Sequence, residues 1–251
     1  MKVLIIGDSC LDEYIYCTTS RFCPDAPIPV LKPESFVSTL GMAGNVKDNL
    51  ESLGVEVEII SNTNKIKKTR YVDERTNHMF VRIDKGEDNV SPIHYETVLD
   101  IKFNNFDAVI ISDYDKGFID RDSIEHISQQ HPLTFLDTKK ELGNWAKNIT
   151  FIKINEVESN ASKNFLLNNK SWENRVISTL GSKGAQYQGV IYPVDEVDIK
   201  DTSGAGDTFM AGLVYAYITE FNIDNAIKFA NKCATQVVQK KGTAKVNITD
   251  I

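Results

Sequence analysis

Six short apolar runs punctuate the chain: Val3–Ile6, Val55–Ile60, Ala108–Ile111, Thr134–Leu136, Phe151–Ile154 and Arg175–Leu180. Most are continuously apolar, which predicts strands buried on both faces, and polar or helix-like sequence follows each one. That rhythm predicts a doubly wound α/β core, a mostly parallel sheet flanked by helices. Between the first two runs, Val46, Leu50 and Leu53 recur at helical spacing and stop at Gly54, a C-cap signal. Phe209, Met210, Ala211, Leu213 and Val214 predict an apolar helix, and Ile227, Ala230, Ala234 and Val238 predict a last long one after Asn222–Asp224.

Two stretches, about residues 12–38 and 66–85, break this rhythm. Both mix polar with apolar residues at strand-like spacing. The first carries Pro24, Pro27, Pro29 and Pro33, a density that suits edge strands and turns rather than a central sheet. The two together predict a small β-sheet standing off the core of a single domain spanning 1–251.

Composition narrows the partners. With 251 residues the chain can bury a proper core, and a net charge of −7 argues against an extended nucleic-acid or anionic membrane surface. Cys10, Cys17, Cys23 and Cys233 form no C-x-x-C pair and have no zinc-like His spacing, so they read as reduced thiols of a cytoplasmic protein. The opening apolar run is too short for a signal peptide, and nothing approaches the ~20 apolar residues of a membrane helix.

The chemistry gathers where strands end. Gly7-Asp8, Ser112-Asp113, Asp137-Thr138-Lys139, Asn155 and Gly181 all follow apolar runs, and ligands of open α/β sheets bind beyond the carboxyl ends of strands. Asp8 and Asp12, four apart, can accept hydrogen bonds from the hydroxyls of a ligand. The strongest signal is Asp201-Thr202-Ser203-Gly204-Ala205-Gly206-Asp207-Thr208, a turn of small residues opening into an apolar helix. Such a turn aims free N–H groups and roughly +0.5 charge of helix dipole at one spot, which favours an anion. A carboxylate beside that spot, Asp207, points to proton abstraction during phosphoryl transfer. Neither a Walker A sequence nor G-x-G-x-x-G occurs.

The DTSGAGDTFMAGL string resembles the C-terminal signature of the ribokinase family, the PfkB-type carbohydrate kinases. The resemblance implies a ribokinase-like fold whose small sheet is a lid over the sugar. It implies Asp207 as catalytic base, and the N–H groups of Gly204, Ala205 and Gly206 as an anion hole. Asn155-Glu156-Val157-Glu158 matches the family's N-x-x-E element, so Asn155 and Glu158 are expected to support Mg²⁺ through waters. Thr179, Gly181 and Gly184 match its ATP-phosphate loop, and Asn231 a position near the adenine. Gly41-Met42-Ala43-Gly44-Asn45 resembles its first signature, with Gly41 and Asn45 beside the sugar and Met42 where the family has glycine.

Within the family, GDSCLDEY, SRFCPDAPIPVLK, KTRYVDERTNHMFVRID and SDYDKGF most resemble the D-glycero-β-D-manno-heptose-7-phosphate kinase domains of bacterial bifunctional heptose synthases. By that resemblance Arg82, Asp84, Asp113 and Lys116 face the sugar. The segments after Ile60 and between Glu158 and Arg175 are shorter than the family's, and no nucleotidyltransferase domain is expected of this chain. The expectation is an ATP- and Mg²⁺-dependent kinase converting heptose 7-phosphate to heptose 1,7-bisphosphate, pairing with a second copy through the lid. The alternatives are a kinase for fructose, ribose or a nucleoside, and a non-catalytic sugar or nucleotide sensor on the same fold.

Overall fold

The computed structural model describes residues 1–251. In chain order the strands and helices are β1 (Lys2–Gly7), β2 (Ser9–Phe22), β3 (Pro29–Met42), α1 (Ala43–Ser52), β4 (Glu56–Ser61), β5 (Ile66–Asp73), β6 (Met79–Lys85) and α2 (Tyr95–Leu99). There follow β7 (Ala108–Asp113), α3 (Arg121–Gln130), β8 (Thr134–Thr138), β9 (Phe151–Asn155), α4 (Glu156–Ala161), α5 (Lys163–Asn168) and β10 (Val176–Thr179). The chain closes with β11 (Ala185–Tyr187), β12 (Val190–Tyr192), α6 (Ala205–Glu220) and α7 (Ile223–Val238).

Eight strands form the main sheet in the order β12-β11-β10-β9-β8-β7-β1-β4. From β10 to β4 every pairing is parallel, and β11 and β12 add an antiparallel hairpin at one edge. Alternate side chains of the central strands feed two separate cores. Val3, Ile5, Ala108, Ile110 and Phe135 pack under α1, α6 and α7. Leu4, Ile6, Val109, Ile111 and Leu136 pack on the other face with α3 and the segment around Phe103. Both faces are therefore covered, which is why the runs are apolar throughout.

The second sheet, ordered β3-β2-β5-β6, is mixed: β2 pairs antiparallel with β3 and parallel with β5, and β6 is antiparallel to β5. Pro29 and Pro33 lie in β3, an edge strand, as their missing N–H requires, and a register shift falls beside Pro33. Both long strands reach nearer the core than the sequence pattern indicates, at Ser9 and Met42. Met42 enters α1 with φ 58°, a backbone that favours glycine. Its side chain is nonetheless buried with Cys10 and Ile66, and that burial opposes the strain.

The shortened segment after β4 is closed by Asn62. Its Oδ1 accepts from Ser9 N–H at 2.7 Å, and its Nδ2 donates to the Ser9 and Asn64 carbonyls at 3.1 and 2.6 Å. As a result β4 is an open edge of the main sheet. Its Glu56 and Glu58, paired with Lys2, discourage edge-to-edge association. The four cysteines are unpaired, and no helix is long and apolar enough to cross a membrane.

Candidate active site

The turn before α6 converges with α1 and the ends of β7, β8 and β9. Gly204 caps α6 with φ 79°, and a Cβ there would lie 2.5 Å from Asn45 Nδ2. A Cβ on Gly206 would lie 2.9 Å from Lys153 Nζ. Glycine at both positions lets the backbone approach an amide on one side and an ammonium on the other. Ala205 N–H is already taken by the Thr202 carbonyl at 3.2 Å, while Gly204, Gly206 and Asp207 N–H have no acceptor within the protein. The open donors therefore differ by one residue from the expected trio: Asp207 N–H replaces that of Ala205.

Asp207, in the first turn of α6, is buried. Asn45 Nδ2 donates to its Oδ2 at 3.1 Å, and the Tyr114 hydroxyl donates to its Oδ1. Burial pushes its carboxyl up to about 6, against the Tyr114 hydrogen bond, and the negative Asp137 pushes the same way. Asn45 and the charge of Lys153 hold it down. A carboxylate poised near neutrality suits a general base.

Asp8 follows β1 and is fully buried. Its Oδ2 accepts from Tyr114 N–H at 2.8 Å and Lys116 N–H at 3.3 Å, and its Oδ1 has no partner. An unpartnered buried carboxylate oxygen is costly unless something polar fills it. Asp12 on β2 is held by Arg70 at 2.6 Å and lies against Gly41, whose lack of a side chain leaves it room. Asn45 is oriented by Asn49, whose Nδ2 donates to Asn45 Oδ1 at 3.0 Å and so turns the Asn45 NH₂ toward Asp207. The second sheet docks over this region through Tyr14 and Thr243 at 3.2 Å, and through Asn77 donating to the Lys200 carbonyl at 2.9 Å.

Other expected sugar contacts are committed elsewhere. Asp113 is buried, with Oδ2 accepting from Thr138 at 2.6 Å and Oδ1 from Lys140 at 2.5 Å. Oδ2 thereby ties β7 to the end of β8 and Oδ1 ties it to the segment that follows, so both oxygens are engaged within the protein. The Lys116 ammonium is bound by Glu87 at 2.6 Å. Arg82 and Asp84 share the inner face of the second sheet with Arg70 and Lys68, but on β6, its outermost strand. There they pair with each other at 2.8 and 2.9 Å, partly exposed.

Asn155 and Glu158 form a capping box at the start of α4. Glu158 Oε2 accepts from Asn155 N–H at 2.7 Å, while its Oε1 takes both Asn155 Nδ2 at 2.9 Å and Lys139. No group of three or more His, Cys, Asp or Glu side chains is arranged to hold a metal. With Glu158 so engaged, these residues fit only an ion that brings phosphate oxygens and waters as its own ligands.

Thr179, Gly181, Gly184 and Asn231 line one cleft of about 500 Å³ with Phe209, Ala234 and Val238. It opens onto Ala205 and Gly206, so its far end reaches the anion turn. The Asn231 side chain donates to the Tyr192 carbonyl at 2.8 Å, fastening α7 to β12. Four further residues stand in the site: Tyr114, Asp137, Lys139 and Lys153. A charged residue inside the apolar run Phe151–Ile154 is the signal that Lys153 has a partner. That partner is Asp137, 2.6 Å away and likewise buried.

Known proteins resemble this chain in sequence and in fold. The family model described as "pfkB family carbohydrate kinase" matches residues 35–250. The bifunctional protein HldE of a Nitratiruptor species is 28% identical across 100% of this chain and 64% of its own length. HldE of Helicobacter pylori (strain HPAG1) is also 28% identical, across 100% of the chain and 65% of its own. The chain thus spans just under two thirds of these relatives. The first alignment runs over 298 positions against a chain of 251, so that relative has segments this chain lacks.

Among solved structures, phosphofructokinase-2 from Escherichia coli in complex with potassium superposes with a TM-score of 0.73 at 15% identity, covering 99% of this chain and 96% of that one. Ribokinase of Arabidopsis thaliana, complexed with ribose and ATP, gives 0.70 at 15% identity with the same coverage. These likenesses establish the ribokinase-like fold, and the match over residues 35–250 establishes that this chain belongs to the pfkB family of carbohydrate kinases.

Proposed function

We propose that the chain transfers the γ-phosphate of ATP to a hydroxyl of a sugar phosphate, converting heptose 7-phosphate to heptose 1,7-bisphosphate. The single observation that carries the chemistry is Asp207, a buried carboxyl near 6 beside open N–H donors at a helix start. In this reading ATP lies in the cleft lined by Thr179, Gly181, Gly184 and Asn231, and its γ-phosphate meets the turn. The sugar lies under the lid, with one hydroxyl on Asp8 Oδ1 and others near Asp12, Gly41 and Asn45. Asp207 takes the proton of the attacking hydroxyl as its oxygen bonds to the γ-phosphorus. The bond from that phosphorus to the β-phosphate oxygen breaks, and ADP leaves. Gly204, Gly206 and Asp207 N–H and the Lys153 ammonium meet the charge on the transferring group. Asn155 and Glu158 would help hold Mg²⁺ through waters, and the ion would supply further neutralisation of phosphate charge. Closure of the lid keeps water from competing as acceptor.

Support for the acceptor comes from the HldE relatives and from the lid's inner face, where Arg70, Arg82 and Lys68 lie in neighbouring strands. Lys68 has no carboxylate within 4.0 Å, which leaves it open to a substrate phosphate (the roles of Arg82 and Asp84 are rim contacts in this reading). Pairing with a second copy fits the lid's outer face. Phe36, Ile15, Tyr71 and Val81 align across all four strands, with Phe36 59% exposed.

The test is ADP release from Mg-ATP with a panel of heptose 7-phosphate, free heptose, fructose, ribose and nucleosides. Turnover confined to heptose 7-phosphate is expected. Turnover on another acceptor would keep the kinase and discard the heptose assignment, and ATP binding with no turnover on any would favour a sensor.

A further inference from the structure

Tyr114 has no part in the reaction as set out above, yet it touches the carboxylate at its centre. Its hydroxyl and the Asn45 amide grip the two oxygens of Asp207 from different elements. The backbone behind the phenol is fixed as well. Tyr114 and Lys116 N–H donate to Asp8 Oδ2, and Asp115 N–H donates to Asp113 Oδ1 at 3.0 Å. Those bonds hold Asp115 at φ 56°, uncommon for a residue with a side chain. Near the ring stand Lys139 and Lys68, with ammonium groups 5.2 and 5.8 Å from its centroid. A phenol so anchored has little freedom to leave the carboxylate.

The proton in this pair stays on the phenol. Burial, then the charge of Asp207, pushes the Tyr114 hydroxyl well above its usual range, so it remains a donor. A donor to a carboxylate binds the ionised form and disfavours the protonated one. Fixing the carboxylate plane also removes a rotation that would otherwise be frozen during attack.

We propose that Tyr114 is a positioning residue for the base: its hydroxyl aims the Asp207 carboxylate at the acceptor and keeps it ionised. The proposal rests on Asp207 being that base. The other groups facing Asp207 are Asp137 on β8, which opposes ionisation, Lys153 on β9, which favours it, and the Asn45 amide on α1. Lys139, after β8, also feels its charge. Cys10 on β2 is neutral, its thiol pushed up to about 12 by burial. Replacing Tyr114 by Phe leaves all of these in place and removes one donor.

The experiment is a carboxyl ¹³C NMR titration of aspartate-labelled full chain, with the Asp207 signal identified by its loss in Asp207→Asn. In the unaltered protein it is expected to titrate near 6. In Tyr114→Phe it should titrate about one pH unit higher, the size of one lost hydrogen bond to a charged group. The acid limb of kcat/KM for heptose 7-phosphate should move with it, while the KM for ATP stays unchanged. Site-specific 3-fluorotyrosine at position 114, a more acidic phenol of nearly the same shape, should move the titration downward. It also keeps the test open if Tyr114→Phe fails to fold. An Asp207 titration unmoved by the folded variants overturns the proposal. Full activity in Asp207→Asn would instead remove the base assignment beneath it.

Discussion

Lys153 and Asp137 are register partners on adjacent parallel strands, and their side chains meet at 2.6 Å in the interior beside the anion turn. A buried pair of this kind contributes little net stability, yet breaking it leaves one charge alone. Lys153→Met should therefore destabilise the fold by roughly 3–5 kcal/mol. The double variant Lys153→Met with Asp137→Leu should regain most of that loss in a denaturant titration. Turnover should stay low in both, since neither returns an ammonium to Gly206.

The raised carboxyl of Asp207 bears on stability as well. Its folded value is about 6 against an ordinary 3.8, so the native state binds the extra proton between those limits. Its contribution opposes folding above about pH 6 and is relieved as the pH falls toward 4. Asp207→Asn should accordingly be more stable than the parent at pH 8, by up to about 3 kcal/mol, since each pH unit separating the two values corresponds to about 1.4 kcal/mol. That advantage should shrink as the pH falls to about 4. Melting curves of the two proteins across this range check the sign.

Asp8 and Asp113 look alike in sequence, each an acid at the end of an apolar run, and the structure separates them. Asp113 has both oxygens filled by Thr138 and Lys140, whereas Asp8 keeps one buried oxygen without a partner. Asp113→Ala should lower the melting temperature, at a cost of roughly 2–4 kcal/mol, with sugar KM nearly unchanged. Asp8→Asn should raise sugar KM about tenfold or more, the scale of a lost hydrogen bond to a charged group. Steady-state kinetics beside thermal melts separate the two outcomes.

Gly204 is confined by its backbone and its neighbours together. At φ 79° an added Cβ would meet Asn45 Nδ2 at 2.5 Å and Thr243 Cγ2 at 2.9 Å. Gly204→Ala should cost roughly 1–3 kcal/mol and lower kcat by displacing Asn45 from Asp207. Calorimetry with single-turnover kinetics measures both.

The strands were legible because burial on both faces leaves an apolar run whatever the partner strand. The turn from Asp201 to Thr208 was legible because a helix start that leaves its backbone donors open needs small residues in an unbroken string. Side-chain partnerships across strands were not. Whether Asp137 meets Lys153, or Asp113 meets Lys140, depends on register and on loop paths, which leave no local pattern. Tyr114 stands in SDYDKGF, a segment marked for its acids and its lysine, but nothing local shows that the phenol reaches α6. The open backbone donors shifted by one residue for a similar reason, since Thr202 reaches Ala205 only in the folded turn.

Asp207 as the base of a phosphoryl transfer is tested most directly by one comparison. Turnover of Mg-ATP with the acceptor is measured for the parent and for Asp207→Asn, with ATP affinity determined on the same samples. The expected result is a loss of at least ~10²-fold in kcat with ATP affinity preserved, the scale of general-base catalysis. Near-parental kcat in a variant that still binds ATP would contradict it.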